Sequence, residues 1–253
     1  MIDLHCHVLP GIDDGPGALD GALELAATAA GNGIATIVAT PHVSWDYPAN
    51  DAARIGAAVA ELNPALQAAG IPVTVLAGAE VALTRGADLS DDELRSLRLG
   101  GGPYLLLECP LSPSATGFEQ GLWELRARGH QVLLAHPERS PHFQRDPGAL
   151  ERLAAEGVLA QVTAASLTGR FGREAQRAGL GWLAAGLVHN VASDAHSAHR
   201  RPPSIAAELK EAGLGEHAGA LADALPAAIL GGGALPAAPV ARPPRRRFGL
   251  RRR

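Results

Sequence analysis

Apolar runs of four to seven residues recur along the chain, and most are followed by a longer Ala-rich stretch with apolar positions every three or four residues. The runs read as buried strands and the stretches as helices. Strands are predicted at 2–8, 35–39, 73–77, 104–107, 131–135, 159–163 and 187–192. Helices are predicted at 18–32, 51–69, 91–97, 117–128, 147–156, 173–185 and 204–212. Gly70, Gly129, Gly157 and Gly186 stand where four of these helices stop. Alternating strands and helices predict parallel strands, in either a barrel or a doubly wound sheet. "TIVAT" and "YLLLE" are apolar almost throughout, as in strands buried on both faces. No repeat or linker divides the series, so residues 1–234 are expected to form one domain. Residues 235–253, rich in Pro and Arg, are expected to be disordered.

Composition narrows the setting. Hydrophobic residues make up 47% of the 253, enough for a sizeable core, but aromatics are only 4%, so that core is aliphatic. No apolar run approaches the roughly 20 residues that span a bilayer, and the first strand starts too early to leave space for a secretory leader. Two cysteines, Cys6 and Cys109, suit a reducing compartment better than a disulfide framework. The expected location is the cytoplasm. From Arg242 onward the chain holds seven arginines and no acid; taking those seven from a net charge of −4 leaves −11 for residues 1–241. An acidic body argues against nucleic acid as the main partner.

The polar residues that interrupt the apolar pattern carry the chemistry. In "IDLHCHVLPGIDDG" side chains alternate faces along the strand, so His5 and His7 share one face. The second strand runs into His42, the third into Glu80, the fourth ends on Glu108, the fifth runs into His136, and the seventh into Asp194 and His196. A Glu at the end of so apolar a strand is costly to bury unpaired. In a parallel barrel all C-terminal strand ends meet on one face, where such enzymes hold their active sites. His5, His7, Asp14, His42, Glu80, Glu108, His136, Asp194 and His196 are therefore expected to converge. Nine ligands suggest two or three divalent ions sharing carboxylates. Mixed imidazole and carboxylate donors favour zinc, manganese or iron over magnesium or calcium. Other phosphate chemistries are excluded by spacing: neither cysteine is followed six residues later by Arg, and there is no Gly-rich loop with Lys and no Gly-x-Ser-x-Gly elbow.

Taken together, "HCHVLPGIDDGP", "TPH", "GAEV", "AHPER", "SDAH" and "QVTAASLTGRFG" resemble the polymerase and histidinol phosphatase (PHP) family. More narrowly, they resemble its bacterial tyrosine-protein phosphatases of capsular and exopolysaccharide synthesis. The likeness runs from Met1 to about Leu230. It implies a distorted seven-stranded TIM-like β/α barrel and a trinuclear centre, most often manganese, with iron or zinc as alternatives. It further implies one ion on His5, His7, Glu80 and Asp194, a second sharing Glu80 with Glu108 and His136, and a third on Asp14, His42 and His196. Asp13 is then left to support the loop. The implied substrate is phosphotyrosine on the tail of a bacterial tyrosine kinase.

Phosphate-ester hydrolysis needs a nucleophile at neutral pH, and a metal lowers the pKa of water to about 7. A phenol with a pKa of about 10 leaves more readily than a serine alkoxide. Arg139, three residues past His136, and Arg201, five past His196, are the expected phosphate-binding forks. Trp45 and Tyr47 are candidate walls for an aromatic ring, and His130, His142, His189 and His217 are expected to be structural or exposed. The basic tail suggests contact with an anionic membrane surface or an acidic partner. The alternatives on the same metal site are a histidinol-phosphate phosphatase and a 5′–3′ nuclease.

Overall fold

The computed structural model describes residues 1–112 and 115–242. Its strands are β1 (Ile2–Cys6), β2 (Thr36–Ala39), β3 (His42–Val43), β4 (Thr74–Ala77), β5 (Glu80–Ala82), β6 (Tyr104–Glu108), β7 (Gln131–Ala135), β8 (Leu159–Thr163) and β9 (Asn190–Ala192). All pairings among the described residues are parallel: β1–β2–β4 in one sheet and β3–β5–β6–β7–β8–β9 in the other.

The two sheets are parts of one ring. β3 resumes the path of β2 after Thr40 and Pro41, and β5 that of β4 after Gly78 and Ala79, so the second and third predicted strands are each interrupted. At the break the Thr40 N–H donates to Cys6 O (3.0 Å), back towards β1. Gly78 is required there, because a Cβ would lie 2.8 Å from Val38 Cγ1. The ring closes between β9 and β1: Cys6 and Ala195 form a parallel bridge, His7 N donates to Ala195 O (2.9 Å), and Asp194 N donates to His5 O (2.8 Å). The buried Asp3 carboxylate fastens the same seam, accepting from the Ser193 N–H (3.0 Å) and hydroxyl (2.5 Å). The result is the distorted seven-stranded β/α barrel.

Alternation along the strands sorts their side chains. Leu105, Leu107, Val132 and Leu134 join the large core beneath the surrounding helices, with Leu25, Leu62, Leu66 and Leu150. Tyr104, Leu106, Leu133, Ala135 and Leu159 form a second cluster with Leu4, Val38 and Leu99. Along this second face Leu106 is followed by Glu108, and Leu159 by Gln161. The apolar layer thus gives way to polar groups towards the C-terminal strand ends. The second cluster also takes in Ile229, from a helix at Leu225–Gly231 that the sequence pattern did not predict.

Among the described residues Phe143 is the largest fully buried side chain, set edge-on to Phe118 (6.0 Å) and Trp182 (6.4 Å). With so few aromatics elsewhere, the cavity left by Phe143→Ala is expected to cost about 3–5 kcal/mol, read as a lowered midpoint in urea unfolding.

Of the stretch expected to be disordered, residues 235–242 are described. They have no regular secondary structure, yet Ala241 is buried and its N–H donates to Leu183 O (2.9 Å). Residues 243–253, with six of the seven tail arginines, lie outside the described residues. Among the described residues no helix is long and apolar enough to cross a membrane.

Candidate metal centre

The nine predicted residues meet at the C-terminal strand ends. Three overlapping groups each bring their donor atoms within 4.8 Å of one another: His7, Asp14, His42 and His196; His5, His7 and Glu80; His42, Glu80 and Glu108. His136 joins through Nε2, 2.7 Å from Glu80 Oε1. Asp194 joins through Oδ1, 3.5 Å from His5 Nε2 and 3.7 Å from His7 Nε2. Glu80 is the hub. Its Oε2 makes no hydrogen bond although it is buried, and it faces His42 Nδ1 (3.1 Å), His5 Nε2 (3.3 Å) and His7 Nε2 (3.5 Å).

The fold places these groups at some cost. His136 (φ +37°) and Asp194 (φ +52°), directly after β7 and just beyond β9, both adopt the left-handed backbone that residues other than glycine rarely take. Such conformations persist where the surroundings hold them, and they concentrate at functional sites.

Two supporting residues fix how the histidines face. His7 Nδ1 donates to Asp13 Oδ2 (2.7 Å), and Asp13 also accepts from the backbone N–H groups of His42 (3.1 Å) and Gly15 (3.0 Å). His5 Nδ1 donates to Gln161 Oε1 (2.9 Å). With both Nδ1 atoms used as donors, both neutral rings present a lone pair at Nε2. These two nitrogens are 3.2 Å apart. Lone pairs facing each other at that distance, ringed by Glu80 and Asp194 oxygens, repel unless a cation or proton lies among them. The mixed nitrogen and oxygen donor set fits manganese, iron or zinc.

The electrostatics carry the same message. Burial lowers the His7 pKa, but the hydrogen bond to Asp13 and the nearby Glu80 carboxylate outweigh it and carry the ring up to about 10. Burial raises Glu80, and the charges of His5 and His136 more than reverse it, to well below the usual carboxylate range. At Asp194 burial is likewise overcome, by His5, His136, Arg201 and Arg139. Asp14 is held low chiefly by its hydrogen bond from His196. Glu108 moves the other way: burial, and then the charge of Glu80, push it up to about 8. The site crowds negative charge where water cannot screen it, which favours positive charge there.

Beside the cluster stand the two predicted forks. Arg139 Nη1 and Arg201 Nη2 both bond Asp194 Oδ2 (2.5 Å each), while Oδ1 of the same carboxylate faces the histidines. Tyr47 stacks on His42 (5.7 Å, 9°), and Trp45, 57% exposed, lies under Arg85 farther out. His130 and His142 pair with Asp91 and Glu119 away from the cluster, His189 accepts from Ala160 N, and His217 neighbours Glu216.

Gln161 escaped the reading of the sequence, although its signal was present: one amide inside the otherwise apolar "VLAQV". It is fully buried and also accepts from the His136 N–H (3.4 Å). Gln161→Leu keeps the volume but frees the His5 ring. Manganese affinity is expected to fall about 10–100-fold, measured by calorimetric titration of the metal-free protein.

A parallel β/α barrel with imidazoles and carboxylates converging at its C-terminal strand ends defines the class of metal-dependent barrel hydrolases. An organophosphorus hydrolase from Deinococcus radiodurans shares this fold (TM-score 0.54, 18% identity, 91% of this chain and 92% of that one). The chain belongs to the capsular polysaccharide synthesis family CpsB/CapC, whose model matches residues 1–216. The tyrosine-protein phosphatase YwqE of Bacillus subtilis is 36% identical over 201 residues, 79% of each chain. The tyrosine-protein phosphatase CpsB of Streptococcus pneumoniae is 26% identical over 208 residues, 80% of this chain and 86% of its own. A chain from the crystal structures of YwqE and CpsB, described as metal-dependent tyrosine phosphatases, superposes with a TM-score of 0.78 at 30% identity. That match covers 96% of this chain and 99% of the other.

Proposed function

We propose that the chain is a metal-dependent protein-tyrosine phosphatase that removes phosphate from a bacterial tyrosine kinase controlling capsular or exopolysaccharide synthesis. The observation that carries this reading is the pair of His5 and His7 Nε2 atoms, 3.2 Å apart among buried carboxylates, with two arginine forks at the edge of the same cluster. Relatives named as tyrosine-protein phosphatases support the substrate class.

His5, His7, Glu80 and Asp194 would hold one ion; Glu80, Glu108 and His136 a second; Asp14, His42 and His196 a third. Manganese is the favoured metal. Bound divalent ions supply a nucleophile from water at neutral pH and draw charge from the phosphoryl oxygens. The protein's own part is placement. Asp13 and Gln161 hold the His7 and His5 rings in place, and the hub position of Glu80 would let one carboxylate serve neighbouring ions. Arg139 and Arg201 present planar donors to the phosphoryl oxygens. The reaction is proposed to take place in the cytoplasm. The arginines of 242–253 are proposed to be drawn to an anionic membrane surface or an acidic partner.

The test is a comparison by the manganese-loaded protein of a phosphotyrosine peptide, a phosphoserine peptide, histidinol phosphate and a short RNA. Chelator-sensitive release from phosphotyrosine alone is expected. Preference for histidinol phosphate or RNA would move the protein to another branch of the same metal chemistry. The acidic body of residues 1–241 weighs against RNA.

A further inference from the structure

The turn "TGRFG" (168–172) has no part in the chemistry above, yet its aromatic ring lies under both arginines. The Phe171 ring centroid is 4.2 Å from Arg139 Cζ and 5.5 Å from Arg201 Cζ. The topology explains why one residue reaches both. Arg139 follows β7, Arg201 follows β9, and Phe171 follows β8, the strand between them.

Two guanidiniums share one carboxylate oxygen, which alone does not fix the plane of either fork. The face of an aromatic ring is electron-rich and attracts guanidinium within about 6 Å. Phe171 is half-buried, so it meets the cations partly shielded from water.

The turn is braced as if to hold that ring. Gly169 (φ +88°) and Gly172 (φ +93°) flank it in left-handed backbone. Arg170 N donates to Ala165 O (3.1 Å) and Gly172 N to Gly169 O (3.0 Å). Beneath it the buried Glu208 accepts from the Thr168 hydroxyl and from Arg170 Nε (2.8 Å). Glu208 belongs to the helix Ile205–Glu211, which closely follows Arg201. The segment that carries Phe171 is therefore tied to the one that carries Arg201.

We propose that Phe171 is a positioning residue, its ring the shared floor that sets Arg139 and Arg201 for a phosphoryl group. This rests on the phosphatase reading for the role of the two arginines. The test uses manganese-loaded, full-length wild type, Phe171→Leu and Phe171→Tyr, titrated with inorganic phosphate by calorimetry and assayed on a phosphotyrosine peptide. Inorganic phosphate has no ring, so a difference in its affinity between wild type and variant at equal manganese content does not come from stacking of a substrate.

Phe171→Leu is expected to weaken phosphate about tenfold and to raise KM by a similar factor, with a smaller change in kcat. Phe171→Tyr restores both. Added to Arg139→Ala, Phe171→Leu is expected to cost less than it does in the wild type, since only the contact with Arg201 is then left to lose. Unchanged phosphate affinity in Phe171→Leu overturns the proposal, even with a raised KM, because the ring would then serve the substrate directly. Equal losses in the Leu and Tyr variants also overturn it, since the turn's packing would be the cause. Should the leucine variant not fold, Phe171→Met carries the same expectation. If the wild type binds phosphate yet leaves phosphotyrosine intact, the substrate reading fails while the phosphate titration still decides the role of Phe171.

Discussion

Glu80→Gln is expected to lower kcat/KM for a phosphotyrosine peptide by at least about a thousandfold. The substitution keeps the shape and changes the chemistry. Glu80 is 1% exposed; one oxygen accepts from His136, and the other makes no hydrogen bond and faces His5, His7 and His42. An amide in its place removes the negative charge at the hub and turns an N–H2 group either towards those rings or towards His136. Because Gln is nearly isosteric, the fold should remain, and unfolding curves should separate loss of the site from loss of the protein. The measurement is steady-state release of phosphate at saturating manganese, together with metal content by mass spectrometry. Turnover within about tenfold of wild type would remove Glu80 from the proposed centre.

Arg139→Ala is expected to cost about a hundredfold in kcat/KM, most of it in KM, with Arg201→Ala somewhat milder. Both forks end on Asp194 Oδ2, but Arg139 is the less exposed, at 16% against 30%, so its contacts are less screened by water. Arg139→Lys should recover little, because a lysine ammonium cannot reproduce a planar fork. Peptide kinetics over a wide concentration range separate KM from kcat. An unchanged KM in Arg139→Ala would show that phosphate is held elsewhere.

Much of this was legible in the sequence because strand periodicity and strand ends are local signals. His5 and His7 share a face two residues apart, and Glu108 closes an apolar run that offers it no partner. The strand–helix alternation carried the parallel strands in the same way, but left barrel and doubly wound sheet open; the barrel was implied by the family resemblance. What was not legible depends on contacts across the chain. The breaks at Thr40–Pro41 and Gly78–Ala79 answer to neighbouring strands: Thr40 bonds back to Cys6, and Gly78 sits against Val38. The helix Leu225–Gly231 lies in a stretch of Ala and Gly with weak periodicity and is fixed by Ile229 reaching the second apolar cluster. Gln161 looked like a stray polar residue until His5, 156 positions away, was placed against it. Asp13 and Asp14 are adjacent and chemically alike; only the loop geometry turns Asp13 to His7 Nδ1 and Asp14 towards His196 and His42.

The most direct test of the metal centre is an anomalous-scattering map at the manganese edge, from crystals of the protein grown with that metal. Two or three peaks are predicted, enclosed by His5, His7, Asp14, His42, Glu80, Glu108, His136, Asp194 and His196, with Glu80 against more than one. No peak within that ring of residues, or manganese bound only elsewhere on the protein, would contradict the account.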